Sequence, residues 1–191
     1  MIPPSRLRRY TRIAMLLHWL VALLILLNVA LIWSVNLVPE GWVRPVIDTH
    51  KSTGITVLGL AILRILWRLA NPPPPFPPNY PAFERVAAHA AHLSLYVLIL
   101  MLPLSGWLHD SAWKEAAQFP MQLFYLVPWP RISFIANMAP AAKETFHVVS
   151  GAVHTYLSYV LYALFVLHVG AALKHQFIDG DPELERMLPG G

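Results

Sequence analysis

Apolar residues in this chain gather into four long runs, and polar residues fill what lies between them. The first run, IAMLLHWLVALLILLNVALIWSV, covers residues 13–35 and is broken only by His18, Asn28 and Ser34. Three more follow, at about 52–69, 86–108 and 148–173. Each approaches or exceeds the roughly 20 residues that cross the hydrocarbon of a bilayer. None alternates with period two, and each is longer than a strand. The pattern predicts an all-α fold: an integral membrane four-helix bundle, one domain over residues 1–191.

Three polar connections separate the runs. NLVPEGWVRPVIDTH is short and carries Trp42, a residue suited to a membrane interface. NPPPPFPPNYP excludes helix and sheet interior and predicts a stiff extended linker. The longest, Asp110 to Phe146, places Trp113, Phe119, Phe124, Tyr125 and Trp129 among prolines. A disordered segment holds fewer aromatics, so this connection is expected to cap the bundle at the membrane surface.

Composition agrees with the pattern. Only 13% of the 191 residues are charged, about half the share in soluble domains. A basic N-terminus precedes the first run, but the run is too long for a signal-peptide core and lacks a small-residue cleavage site. It is expected to be a retained span. The net charge of +4 comes from scarce acids and border arginines, so no nucleic-acid partner is expected. With no cysteine, disulfides, thiolate nucleophiles, iron–sulfur ligation and thioether-linked haem are excluded.

The Lys and Arg positions predict orientation. Arg6, Arg8, Arg9, Arg12, Arg64, Arg68, Arg85, Lys174 and Arg186 fall on one side, and Arg44, Lys51, Lys114, Arg131 and Lys143 on the other. Nine against five puts both termini in the cytoplasm.

Nine histidines then stand out, because ionisable side chains inside spans are rare and tend to be functional. By depth, His18, His89, His92, His168 and His175 lie toward the cytoplasm, and His50, His109, His147 and His154 toward the outside. His154 and His168 are fourteen residues apart on one helix. That is roughly 21 Å of rise, within about 40° of the same face. His50 matches the depth of His154, and His18 that of His168. Each pair joins two helices within reach of a porphyrin, and neutral imidazole suits iron. Two axial imidazoles leave no open position, which favours electron transfer over oxygen binding.

Neighbouring residues allow two readings each. Gly54 and Gly151 share faces with His50 and His154; they serve a flat porphyrin or ordinary helix packing. Arg64 and Arg68 pair with carboxylates of the inner haem or anchor the cytoplasmic border, and Lys51 is the corresponding candidate for the outer haem. His89 and His92 are interfacial, or bind quinone, or supply an alternative ligand. His175 is a candidate for a quinone or proton path. His109 and His147 are expected to be peripheral. A haem-free transporter with a His-lined path is the alternative of another class, although a transporter more often shows internal repeats or broken helices at mid-depth, and these histidines avoid the middle and sit at two levels.

LHWLVALL at His18, THKSTG at His50, RILWR, AHAAHLSLY, PLSG, the His154–His168 spacing, HVGAALKHQF and the tail DPELERMLP occur in order with matching separations. In this the chain resembles the bacterial cytochrome b561 family, four-helix di-haem proteins of the inner membrane that include a membrane-bound superoxide oxidase. The resemblance covers nearly the whole chain. It implies two haem b groups with His18, His50, His154 and His168 as iron ligands, and His175 near the quinone end. It implies electron transfer between superoxide at the outer face and ubiquinone, or between quinol and a periplasmic partner. Arg44, Lys51, Arg131 and Lys143 would then draw superoxide inward as a positive funnel.

Overall fold

A computed structural model describes residues 9–76 and 80–188; Arg6 and Arg8 of the orientation argument, and part of the Pro-rich linker, lie outside them. The elements, in chain order, are α1 (Arg12–Ser34), α2 (Glu40–Ala70), α3 (Ala82–Ser111), β1 (Gln122–Leu123), β2 (Val127–Pro128), α4 (Ser133–Ala136) and α5 (Pro140–Phe177). Four of them, α1, α2, α3 and α5, are long and apolar enough to cross a membrane.

The helices run past the apolar runs. Residues 40–50, expected in a connection, form the first turns of α2. Glu40 sits in the first turn, where a negative charge suits the helix dipole. Pro45 lies inside the helix but near its exposed start. The hydrogen bond it forfeits is the one to Gly41, which faces solvent. α5 likewise begins at Pro140, before its apolar run, with proline in the first turn as helices favour.

Large apolar side chains point outward. Leu16, Leu23, Leu66, Val166 and Leu167 are exposed, as expected where lipid replaces water as solvent. The core is small: Val21 of α1, Val57 and Ala61 of α2, and Ile99 of α3, with Leu24, Ile25, Leu60, Tyr96 and Leu100 packed around them. α1 packs on α2, α2 on α3, and α3 on α5. Of the residues of α5, only Ser150 and Leu161 are buried. Between α5 and the α1–α2 pair stand His18, His50, His154 and His168.

One end of the bundle carries the cap, residues 112–139. Arg131 organises it, donating to Asp110 Oδ2 at 2.9 Å, Ala116 O at 2.7 Å and Phe119 O at 2.8 Å. The opposite end carries the described termini. There Arg186, almost fully buried, donates to Pro75 O at 2.8 Å and pairs with Glu183 at 2.7 Å. Trp19 Nε1 donates to Met187 O at 2.8 Å. The tail thus straps α1 to the Pro-rich segment.

Candidate functional site

At the cap end, α2 and α5 present His50 and His154 to each other. Their ring centroids are 6.2 Å apart, with the rings at 81°. At the other end, α1 and α5 present His18 and His168, also 6.2 Å apart, at 83°. The agreement between two independent pairs has a chemical meaning. A metal–imidazole bond is about 2.0–2.1 Å and a ring nitrogen lies about 1.1 Å from its centroid, so imidazoles on opposite sides of one metal stand roughly 6.2 Å apart.

Second partners set the tautomers. His50 Nδ1 donates to Asn28 O at 3.0 Å. His154 Nδ1 donates to Leu102 O at 3.0 Å and lies 3.0 Å from Ser105 Oγ. In both rings the proton is fixed on Nδ1, and the lone pair of Nε2 is left for a metal. Among the described residues, His18 Nδ1 is buried without a hydrogen-bond partner.

Among the described residues no cluster of three or more His, Cys, Asp or Glu can hold a metal ion. A metal held by either pair must bring its remaining ligands, as an iron porphyrin does. Around His50 and His154 there is room for such a group: a cavity of about 780 Å³, lined also by Asn28, Lys51, Gly54, Gly106 and Gly151. At the other end the charge fits. Arg64 and Arg68 lie over the Tyr96 ring at 5.1 and 5.5 Å. Among the described residues neither has a carboxylate within ion-pair distance. Two half-buried cations without an anion suit the carboxylates of a porphyrin.

The glycines show a repeat that the sequence reading passed over. Ser105-Gly106-x-x-His109 on α3 matches Ser150-Gly151-x-x-His154 on α5. The helices run antiparallel, and each glycine receives the other helix's histidine. A Cβ on Gly106 would lie 3.2 Å from His154 Cε1, and one on Gly151 would lie 2.8 Å from His109 Cε1. His154 Nδ1 donates to the carbonyl four residues before Gly106, and His109 Nδ1 donates to that four residues before Gly151, His147 O, at 2.9 Å. His147 answers by donating to His109 O at 3.0 Å, and the two rings stack at 3.9 Å. That spacing leaves no room for a metal between them. Gly54 has Asn28 Nδ2 at 3.6 Å from its Cβ position, ordinary contact rather than a tight cradle. Gly151→Ala is expected to force the His109 ring aside at about 1–3 kcal/mol, read as a lowered melting temperature, whereas Gly54→Ala is expected to be near neutral.

The remaining candidates divide by location. Lys51 and Arg131 pair with opposite oxygens of buried Asp110 at 2.6 and 2.9 Å, and Arg44 pairs with Asp48 at 2.8 Å. Lys143 donates to Ala136 O at 3.1 Å. Arg44, Lys51 and Arg131 are thus drawn into an ion-pair network, and Asp110, its hub, drew no attention in the sequence. His92 lies edge-on to His168 at 5.5 Å, tighter than the His18–His168 separation. His89 is exposed, bonded to Arg85 O at 2.7 Å and edge-on to Phe76. His175 stacks on buried Tyr80 at 4.9 Å, and its Nδ1 donates to Asp179 Oδ2 at 2.8 Å. Asp179 lies past the end of α5, and its carboxyl is held below the usual range chiefly by the Lys174 hydrogen bond.

Comparisons with known proteins follow the same lines. The family model described as Prokaryotic cytochrome b561 matches residues 9–190. The chain is 36% identical over 182 residues to Cytochrome b561 homolog 2 of Escherichia coli (strain K12), covering 94% of this chain and 91% of that one. It is 28% identical over 188 residues to the Probable superoxide oxidase CybB of Yersinia pestis, covering 95% and 97%. Cytochrome b561 homolog 1 of Escherichia coli (strain K12) is 25% identical over 185 residues, covering 96% and 98%.

Proposed function

Because the chain belongs to the prokaryotic cytochrome b561 family, a family of membrane electron-transfer proteins with b-type haem, we propose that it holds two such haems and passes electrons between the two faces of the bilayer. His50 and His154 hold one group and His18 and His168 the other. The observation that carries this reading is the common 6.2 Å separation of the two pairs at opposite ends of α5. A b-type haem supplies reversible one-electron iron chemistry. Held between two imidazoles, each group would offer substrates no open ligand position, so electrons would be exchanged at the edges of the sites.

The positive-inside count supports a cap end outside and termini in the cytoplasm, in the inner membrane of a bacterium. In the most specific version, two superoxide anions and ubiquinone, with two protons, give two dioxygen molecules and ubiquinol. The name of the Yersinia relative supports it. Of the three cations that pair with Asp48 or Asp110, Arg44 is the most open to superoxide, its side chain 34% exposed against 19% for Lys51 and 11% for Arg131. Lys51 and Arg131 act instead through Asp110 to hold the cap over the outer site. At the inner end, Arg64 and Arg68 balance the carboxylates of the bound group. His175, fixed through Nδ1 to Asp179, keeps Nε2 free to exchange a proton with quinone. His89 and His92 stand near that end.

A second reading is favoured by the pairing of three outer cations with two acids: quinol is the electron donor, and a periplasmic protein the acceptor. Purified protein mixed with ubiquinone and an enzymatic superoxide source separates the two. Superoxide-dependent haem reduction, abolished by superoxide dismutase, is expected. Haem reduced by quinol but untouched by superoxide would reject the superoxide version and leave the second.

A further inference from the structure

Phe119 to Pro130, in the cap, is twelve residues long and carries no charge. Its hairpin pairs Gln122 with Pro128 and Leu123 with Val127. The turn places two bulky residues, Phe124 and Tyr125, at φ of 51° and 60°. Left-handed backbone favours glycine, asparagine or aspartate, so this conformation is strained and persists only where its surroundings impose it. What the strain achieves is display. Leu126 is 82% exposed, Tyr125 58%, Val127 55% and Phe124 47%, while Met121 behind them is buried against the cavity. A patch of aliphatic and aromatic side chains held outward has no use for water.

The height of the tip identifies what it meets. Phe124 N–H donates to Ser52 Oγ at 2.9 Å, and Ser52, fully buried, donates to Asp48 O at 2.8 Å. Ser52 follows Lys51, the last charge before α2 becomes apolar. From there to Leu69 is about 27 Å of helix, close to the thickness of the hydrocarbon layer. The hairpin is therefore latched at the membrane border, continuous with the lipid-facing surface of the helices. Aromatic residues gather at that level.

We propose that Phe124–Val127 is a bilayer anchor: a strained, preformed turn that inserts its tip into the boundary between headgroups and acyl chains, latched to Ser52 two residues from His50. The chain has no cysteine, so a single nitroxide label reports cleanly. Leu126→Cys is labelled in the full-length protein, reconstituted in phosphatidylethanolamine–phosphatidylglycerol vesicles, and its collisions with oxygen and with a water-soluble nickel chelate are compared. The oxygen-to-nickel ratio is expected to lie several-fold above that of a label at exposed Gln118 of the same cap, and below that of a label at lipid-facing Leu63, about 16 Å further along α2 than Ser52. A ratio equal to that at Gln118 overturns the anchor and leaves the patch to a soluble partner. Adding Ser52→Ala is expected to raise the mobility of the Leu126 label and lower its ratio; no change in either overturns the latch. Neither readout depends on electron transfer, so the anchor and the proposed function can fail separately.

Discussion

His154→Ala is expected to halve the haem content, from two per chain to one, while His168→Ala removes the other group and the double variant removes both. The two sites share helices but no imidazole. His154 faces His50 of α2 and donates its hydrogen bond to Leu102 O of α3; His168 faces His18 of α1. Fourteen residues of helix separate them, about 21 Å, too far for one imidazole to serve both. Loss of an axial ligand at one end therefore leaves the other intact. His109 lines the same cavity as His154 but is bonded to His147 O and stacked on its ring, so it is not free to replace the lost ligand. Haem per chain by pyridine haemochrome, with the reduced spectrum of the remaining group, reads the result. A His154→Ala protein that keeps both groups with unchanged spectra would refute the ligand assignment.

Asp110→Asn is expected to destabilise the protein by about 3–5 kcal/mol, as breaking a buried ion pair on one side does. Asp110 is 5% exposed and holds Lys51 with one oxygen and Arg131 with the other. Asparagine keeps the shape but leaves the two cations facing each other, Arg131 without its carboxylate and Lys51 with only Asp48 at 3.6 Å. Arg131 also holds the carbonyls of Ala116 and Phe119, so the cap loosens with it. For a chain of this size the loss corresponds to a drop of roughly 10 °C in Tm. Thermal unfolding in detergent, followed by circular dichroism, measures it. Pairing Asp110→Asn with Lys51→Met is expected to recover part of the loss, because the stranded charge is then removed; strict additivity of the two would show that the pair does not couple.

The spans were legible because a bilayer permits few ways to bury backbone, and a run of apolar residues is the signal. The ends of α2 and α5 were not: residues 40–50 and 140–147 are helical, but Arg44, Pro45 and Asp48 in the first and Lys143 and Glu144 in the second interrupt the continuous apolar run that marks a span. The depth matching of His50 with His154 and of His18 with His168 follows from the helical rise alone, and the structure brings those residues face to face. The partners that orient them come from other helices. Asn28 O, Leu102 O and Ser105 Oγ are placed by packing, and no local pattern announces them. The Ser-Gly-x-x-His repeat was visible in the sequence, but only the antiparallel contact of α3 and α5 reveals why each glycine precedes its histidine by three. The outer funnel read from Arg44, Lys51, Arg131 and Lys143 left out Asp48 and Asp110. Asp110 meets Lys51 only once α2 and α3 are packed, and charges counted along a sequence do not report such pairings.

The measurement closest to the central claim is the number of haems per chain in the purified wild-type protein, from pyridine haemochrome absorbance against amino-acid analysis. Two His–His pairs at the trans-metal spacing predict two b-type haems per chain. A value of one, or a colourless and stably folded protein, would contradict the account.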